Sequence, residues 1–192
     1  FCTAWGIRPL VLPMTDDRLA TCVDTLEFGE ISFQEYFVYH HCQPRVRGFR
    51  FCGSESARPA PGVLEALAAA EAVVLCPSNP WVSIDPILAV PSLRERLAHK
   101  LVVAVSPIID GQTVKGPAAK MFTELGIPPS ALAVSGHYAG LLGGFVLDHA
   151  DRNQALPIQA AGMQTCVTNI LMKTVEDRIH LAEDVLHLVT NW

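Results

Sequence analysis

Three segments of the sequence carry side chains suited to holding phosphate and sugar oxygens, and each follows an apolar run. Residues 73–76 lead into Pro77-Ser78-Asn79-Pro80, with Ser83 and Asp85 further along the same loop. Residues 101–105 lead into Ser106-Pro107 and then, through Asp110-Gly111, to Lys115-Gly116-Pro117. A hydroxyl and an amide on a tight turn, as at Ser78 and Asn79, can bond phosphate or ribose oxygens. Ser-Asn-Pro also makes an ordinary turn and caps the element after it, and the sequence leaves both roles open. Lys115 and Gly116 precede a helix opening at Pro117, so an ammonium beside free backbone N–H groups makes an anion site; a solvated lysine is the other reading. The absence of GxxxxGK[ST] rules out a P-loop.

The third segment follows residues 7–12 and supplies adjacent carboxylates, Asp16 and Asp17, able to hold a hard cation or orient a hydroxyl. Capping a turn is the competing role. His40 and His41 end an aromatic segment, where imidazole meets a helix C-terminus favourably, and they read as structural. Neither pair has a third ligand at zinc spacing. His137 and Tyr138 sit among glycines in SGHYAG, placed to contact a base or ring, or to pack half-buried.

The elements that must position these residues follow from the apolar pattern. Runs at 7–12, 73–76, 101–105 and 145–147 lack alternation, as strands buried on both faces do. Between them lie helical patterns at 61–70, at 92–100 with Ser92 and Glu95 spaced as a capping box, and at 117–125 ended by Gly126. The alternation predicts a single α/β domain over 1–192: three layers around a doubly wound, mostly parallel, Rossmann-like sheet, with 73–76 and 101–105 as neighbouring parallel strands. A final helix over 174–189, capped by Thr174 with Asp177 in support, places Ile179, Ala182, Val185, Leu186 and Val189 on one stripe. Residues 21–51 read as an insertion, with an aromatic-rich helix ISFQEYFVYHH and a strand over 45–51. Residues 131–142 form either a short extended piece and a helix, or one helix.

Composition bounds the function. The 192 residues, half of them apolar, suffice for a sizeable core. A formal charge of −5 with 14 Lys and Arg gives no general footprint for nucleic acid, so any bound anion is held locally. Cys2, Cys22, Cys42, Cys52, Cys76 and Cys166 show neither a CxxC pair nor zinc spacing, which predicts reduced structural thiols in a cytoplasmic protein. Apolar runs stop short of the roughly 20 residues a membrane span needs, so no membrane association is expected. FCTAWGI reads as the last turn of a helix closed by Gly6, and a chain opening on Phe1 is expected to be truncated at its N-terminus.

Six ordered blocks span nearly the whole chain: PLVLPMTDD, ISFQEYFV, ARPAPGVLEAL, PSNPWVSIDPILAVP, AVSPIIDGQTVKGPAAKM and HYAGLLGGFVLD. Together they resemble the 2-phospho-L-lactate transferase family of deazaflavin coenzyme F-420 biosynthesis. The resemblance implies an enzyme that takes a guanylyl-activated phospho-acid, 2-phospholactate or phosphoenolpyruvate, and passes the phospho-acid unit to the ribityl hydroxyl of the deazaflavin Fo, releasing GMP with Mg2+ as cofactor. Such chemistry rests on positioning and charge neutralisation around a diphosphate. It further implies that Asp16 and Asp17 are catalytic on the acceptor side, while Ser78, Asn79, Ser83, Lys115, Gly116 and His137 bind nucleotide and substrate. A homodimer is the default assembly.

The sequence departs from the family at three points. A GGTGG-like strand and turn at the start of family members is not present here; Cys76 stands where a small residue is usual; and Trp81 replaces a smaller apolar residue, either stacking on a ring or filling the cap of the sheet. Two other readings stay open: a nucleotide-sugar-binding regulator of the same superfamily, and a truncated inactive copy. MTDD, ISFQEYFV and VKGPAAKM favour the transferase, and binding of Fo separates it from the regulator. Which phospho-acid is transferred turns on one methyl, methylene or hydroxyl group, beyond what the sequence distinguishes.

Overall fold

The computed structural model describes residues 2–192. Ala20–Thr25 (β1), Gly29–Ser32 (β2) and Val46–Cys52 (β3) form an antiparallel sheet in the order β2-β1-β3. One face is apolar: Val23 and Val46 are buried and Ile31 and Phe49 pack against the main core. Between β2 and β3 the chain makes a π-helical turn at Glu35–Tyr39 that buries Tyr36. The expected aromatic helix is therefore confined to its middle. Ile31 belongs to β2, where it pairs with Val23, and His41 adopts a positive φ that ends the turn.

Beyond this sheet the chain alternates helix and strand. Val63–Ala69 (α1) and Ala72–Leu75 (β4) are followed by a π-helical turn at Pro80–Ile84, then by Asp85–Leu88 (α2), Leu93–Leu97 (α3) and Leu101–Val105 (β5). A two-residue-stranded hairpin, Ile108–Ile109 (β6) and Gln112–Thr113 (β7), leads to Ala118–Glu124 (α4) and Ala131–His137 (α5). Gly144–Asp148 (β8), Ala155–Ala160 (α6), Gln164–Thr168 (β9) and Val175–Thr190 (α7) complete the fold. The main sheet runs β4-β5-β8-β9 with every neighbouring pair parallel, and Val73 sits opposite Val102 as expected for adjacent parallel strands.

Both faces of the inner strands β5 and β8 are covered, which explains their unbroken apolar runs, while Val74 on the edge strand β4 is partly exposed. Val102, Ala104, Phe145 and Leu147 join the larger core with Met121 and Phe122 of α4 and Val134 of α5. Val103, Val105 and Val146 pack instead against Leu181 and Val185 of α7. The result is a three-layer α/β architecture. No helix among the described residues is long and apolar enough to cross a membrane.

The capping box expected at the last helix is present: Thr174 Oγ1 accepts from Asp177 N at 3.1 Å, and Asp177 Oδ2 accepts from Thr174 N at 2.8 Å. Replacing Thr174 by Ala should lower stability by about 1 kcal/mol, read from urea denaturation. The Thr174 and Lys173 N–H groups hold the Asp177 carboxyl below its ordinary range. A lowered folded-state pKa means that the contribution is present above the ordinary carboxylate range and is lost as pH falls through the lowered value. The gap between Asp177→Ala and the parent should therefore narrow in acid.

Three expectations are corrected and a fourth holds. Residues 7–12 form no ladder, and Leu10 and Val11 are 76% and 64% exposed, because an apolar run becomes a strand only beside a partner's free N–H and C=O row. Ser92 does not cap α3: it adopts φ 71 with no side-chain cap bond, and buried Leu93 starts the helix. The cysteines are not all reduced, since Cys22 and Cys52 form a disulfide between β1 and β3. The closing turn expected at the N-terminus is present over the described residues 2–7: Gly6 adopts φ 64, Gly6 N donates to Thr3 O at 3.3 Å and Ile7 N to Cys2 O at 2.9 Å, the bond pair of a glycine C-cap; Phe1 lies outside the described residues.

Two other regions resolve cleanly. The open region 131–142 contains one helix, α5, capped by Ser130 Oγ accepting from Ala133 N. Gly126 ends α4 with φ +76, a conformation that other residues adopt only under strain.

Candidate functional site

A cavity of about 260 Å³ opens at the carboxyl ends of β4, β5 and β9. This end of an open parallel sheet is where ligands collect. Ser78 and Asn79 come from the loop after β4, Ser106 from the loop after β5, and Thr113 and Lys115 from the approach to α4; Ile170, Leu171 and Met172 close the third side. The sequence pattern thus brings Ser78, Asn79 and Lys115 together.

Their roles differ. Asn79 Oδ1 accepts from Trp81 N at 3.1 Å, capping the π-helical turn, and its Nδ2 donates to Met121 Sδ at 3.2 Å. Asn79 therefore sets the shape of the loop. Ser78 Oγ and Lys115 Nζ have no intramolecular partner among the described residues, so both are available to a ligand. Ser106 Oγ is committed to its own turn, donating to Ile108 O at 2.8 Å and accepting from Ile108 N at 3.1 Å.

The start of α4 offers fewer donors than the sequence suggested. Pro117 has no N–H, and Thr113 Oγ1 accepts the Ala119 N–H at 3.2 Å. Gly116 holds φ +80, which an L side chain adopts under strain, and it lines a shallow neighbouring hollow beside Phe37, Cys42 and Lys120. The position of this turn is fixed from behind. Lys120 Nζ donates to Pro44 O at 2.8 Å and to Glu124 Oε2 at 2.7 Å, while Glu124 Oε2 accepts from Val46 N at 3.0 Å. This network ties the three-stranded sheet to the helix that follows Lys115.

A second, largely apolar cavity of about 510 Å³ lies beside β4, between α1 and α3. Met14, Leu67, Val73 and Leu97 line it together with Ser83, and Ser78 stands in the wall of both cavities.

Asp16, Asp17 and His137 are placed elsewhere. Asp17 Oδ2 accepts from Arg58 N at 2.7 Å, and Thr15 Oγ1 donates to Arg58 O at 2.6 Å, so this acidic segment is stitched to the loop before α1. Asp16 is exposed with no partner among the described residues, and neither carboxylate lines either cavity. With residues 7–12 outside any sheet, the pair does not sit at a strand end. His137 Nε2–H donates to both Asp85 oxygens, at 2.9 and 3.0 Å, with Trp81 edge-on at 5.5 Å. It fastens α5 to α2, outside both cavities.

The described residues do not by themselves build a magnesium site. No carboxylate lines the Lys115 cavity, and the one group of three or more ligating side chains found among them is Cys22, Glu30 and Cys52, which is too sulfur-rich for a hard cation.

Sequence reasoning missed the wall formed by Ile170, Leu171 and Met172. The signal was β9 just before it: QTCVT lacks an apolar run, yet its parallel pairing with β8 brings its carboxyl end to the site.

Residues 1–179 match the family model described as 2-phospho-L-lactate transferase CofD. A phosphoenolpyruvate transferase of Streptomyces griseus subsp. griseus is 39% identical over 97% of this chain and 61% of its own length. A 2-phospho-L-lactate transferase of Methanosarcina mazei is 38% identical over 95% of this chain and 60% of its own. The chain thus spans about 60% of the length of these relatives. A crystal structure of a Bacillus halodurans protein of the UPF0052 family superposes with a TM-score of 0.61 at 14% identity, covering 94% of this chain and 63% of that one, which supports the fold alone. By the family match and the two relatives, the chain belongs to the 2-phospho-L-lactate transferase family.

Proposed function

We propose that the protein takes part in coenzyme F-420 biosynthesis as a transferase, moving 2-phospholactate or phosphoenolpyruvate from a guanylyl-diphospho donor to the deazaflavin Fo. The observation that carries this reading is the unpaired Lys115 ammonium beside the free Ser78 hydroxyl, in a cavity at the carboxyl end of a parallel sheet. The terminal ribityl hydroxyl of Fo attacks the phosphorus of the phospho-acid. The bond from that phosphorus to the bridging oxygen breaks, and GMP departs with the oxygen.

In this reading Lys115 neutralises charge on the diphosphate as it shifts toward the leaving phosphate. Ser78, shared by both cavities, orients the transferred group. The apolar cavity beside β4 suits the flat ring of Fo. Asp16 does not line the cavity, but it lies two residues past Met14, which does, and it is the carboxylate that would orient the acceptor hydroxyl and take its proton with Fo in place; Asp17 shapes the loop. Ser83, at the cavity wall, faces the ribityl chain. Magnesium enters only as the counter-ion a diphosphate brings, and no step is assigned to it. A homodimer in the cytoplasm completes the proposal.

The test mixes the protein with Fo and each guanylyl-activated phospho-acid and follows GMP release and the coupled deazaflavin by chromatography and mass spectrometry. Formation of both products in equal amounts is expected. Absence of product, together with unchanged Fo fluorescence on adding protein, overturns the reading. Binding of a nucleotide-sugar without Fo favours the regulator instead.

Asp16→Asn keeps size and capping ability while removing the charge. It should cut turnover by about 100-fold, the typical weight of a positioned base, with denaturation unchanged. Turnover at the parent rate would make Asp16 structural.

A further inference from the structure

We propose that reduction of the Cys22–Cys52 disulfide creates a binding site for a thiophilic divalent cation such as Zn2+, with Glu30 as the third protein ligand. No local sequence spacing announces this site, because sheet register assembles it. Cys22 lies opposite Arg50 and Ser32, Cys52 opposite Ala20, and Glu30 opposite Asp24. With side chains alternating along each strand, Cys22, Glu30 and Cys52 share the solvent-side face of the three-stranded sheet.

The two cysteine Cα atoms are 6.7 Å apart, and the two sulfurs and a Glu30 carboxylate oxygen all lie within 4.8 Å of one another. With Zn–S of about 2.3 Å and Zn–O of about 2.1 Å, ligand atoms around a tetrahedral ion sit roughly 3.5 to 3.8 Å apart. Small side-chain rotations on a fixed sheet reach that arrangement. Both cysteines are half-buried and Glu30 is exposed, so a cation has a path in. Glu30 now pairs with Arg50 through both carboxylate oxygens, and with the Arg50 side chain 62% exposed the guanidinium has room to turn to solvent and remain beside the site.

The redox step balances with a dithiol as reductant. One of its thiolates attacks a cysteine sulfur, the mixed disulfide is resolved by the second, and the reductant leaves as a disulfide while two protein thiols form. Cation binding then displaces the two thiol protons to solvent. Two thiolates, one carboxylate, the dication and adjacent Arg50 sum to zero charge, so the site is neutral as well as preorganised. Its fourth position is left to water.

Cobalt(II) is the probe, because its thiolate complexes absorb in the near-ultraviolet and tetrahedral ones show visible bands. Protein reduced and freed of reductant under anaerobic conditions should bind one equivalent with both signatures, displaced by Zn2+, while oxidised protein shows neither. The double variant Cys22→Ser/Cys52→Ser should lose the signal although Cys2, Cys42, Cys76 and Cys166 remain as free thiols. Glu30→Gln should weaken binding at least about tenfold with circular dichroism unchanged. Equal signal in the double variant, no saturable binding by reduced protein, or unaltered affinity in Glu30→Gln would each overturn the proposal.

Discussion

Replacing Lys115 with methionine should lower the rate of GMP release by about 100- to 1,000-fold, the typical loss when one preorganised group facing developing phosphoryl charge is removed. Stability should stay within about 0.5 kcal/mol of the parent, since an exposed side chain with no intramolecular partner holds nothing together. Separation of the two effects is the informative part. Lys115 projects from the turn before α4 into a cavity that no acidic side chain enters, so its charge is unneutralised until an anion arrives. Lys115→Arg keeps the charge but changes reach, and should retain part of the activity. If Lys115→Met turns over within about threefold of the parent, the lysine is a solvated surface charge and the phosphate side of the site lies elsewhere.

What was legible in the sequence was whatever the parallel sheet dictates by itself. Residues 101–105 are buried on both faces and had to be apolar throughout, and residues 73–76, an edge strand with Val74 exposed, stay apolar because they line the cavity beside β4, so their pairing and the loops at their ends were readable, and with them Ser78, Asn79 and Lys115. Strands that are half-exposed or at an edge leave weaker patterns. β1 and β9 mix cysteine and threonine with apolar residues, and both were missed. Residues 7–12 have the composition of a strand and no partner to pair with, which no local pattern reveals. The disulfide was hidden for the same reason: thirty residues separate Cys22 from Cys52, and they meet through register. His137 carried the right chemistry for a ligand contact, yet its bond to Asp85 depends on how α5 packs on α2.

Trp81 is where the sequence left a choice between stacking on a ligand and filling the core, and the packing around it decides for the core. The residue is 8% exposed, its ring stacked on Phe49 at 5.6 Å between centroids and tilted against Phe122 at 4.4 Å. Phe49 belongs to the three-stranded sheet and Phe122 to α4, so one indole joins the inserted sheet to the parallel-sheet core. Trp81→Ala should therefore destabilise by about 3 to 5 kcal/mol, the range for a large aromatic removed from a packed site, measured by urea denaturation followed by circular dichroism. Trp81→Phe keeps the ring contact and should lose roughly half as much. The effect should reach the site too, because Trp81 N is the donor that Asn79 Oδ1 holds, at the base of the loop carrying Ser78. Donor binding in Trp81→Ala should weaken even under conditions where the variant is folded, whereas Trp81→Phe should bind nearly as the parent does. A Trp81→Ala protein as stable as the parent but unable to bind Fo would instead make the indole a ligand platform, and would shift the acceptor site from the β4 cavity to the junction of the two sheets.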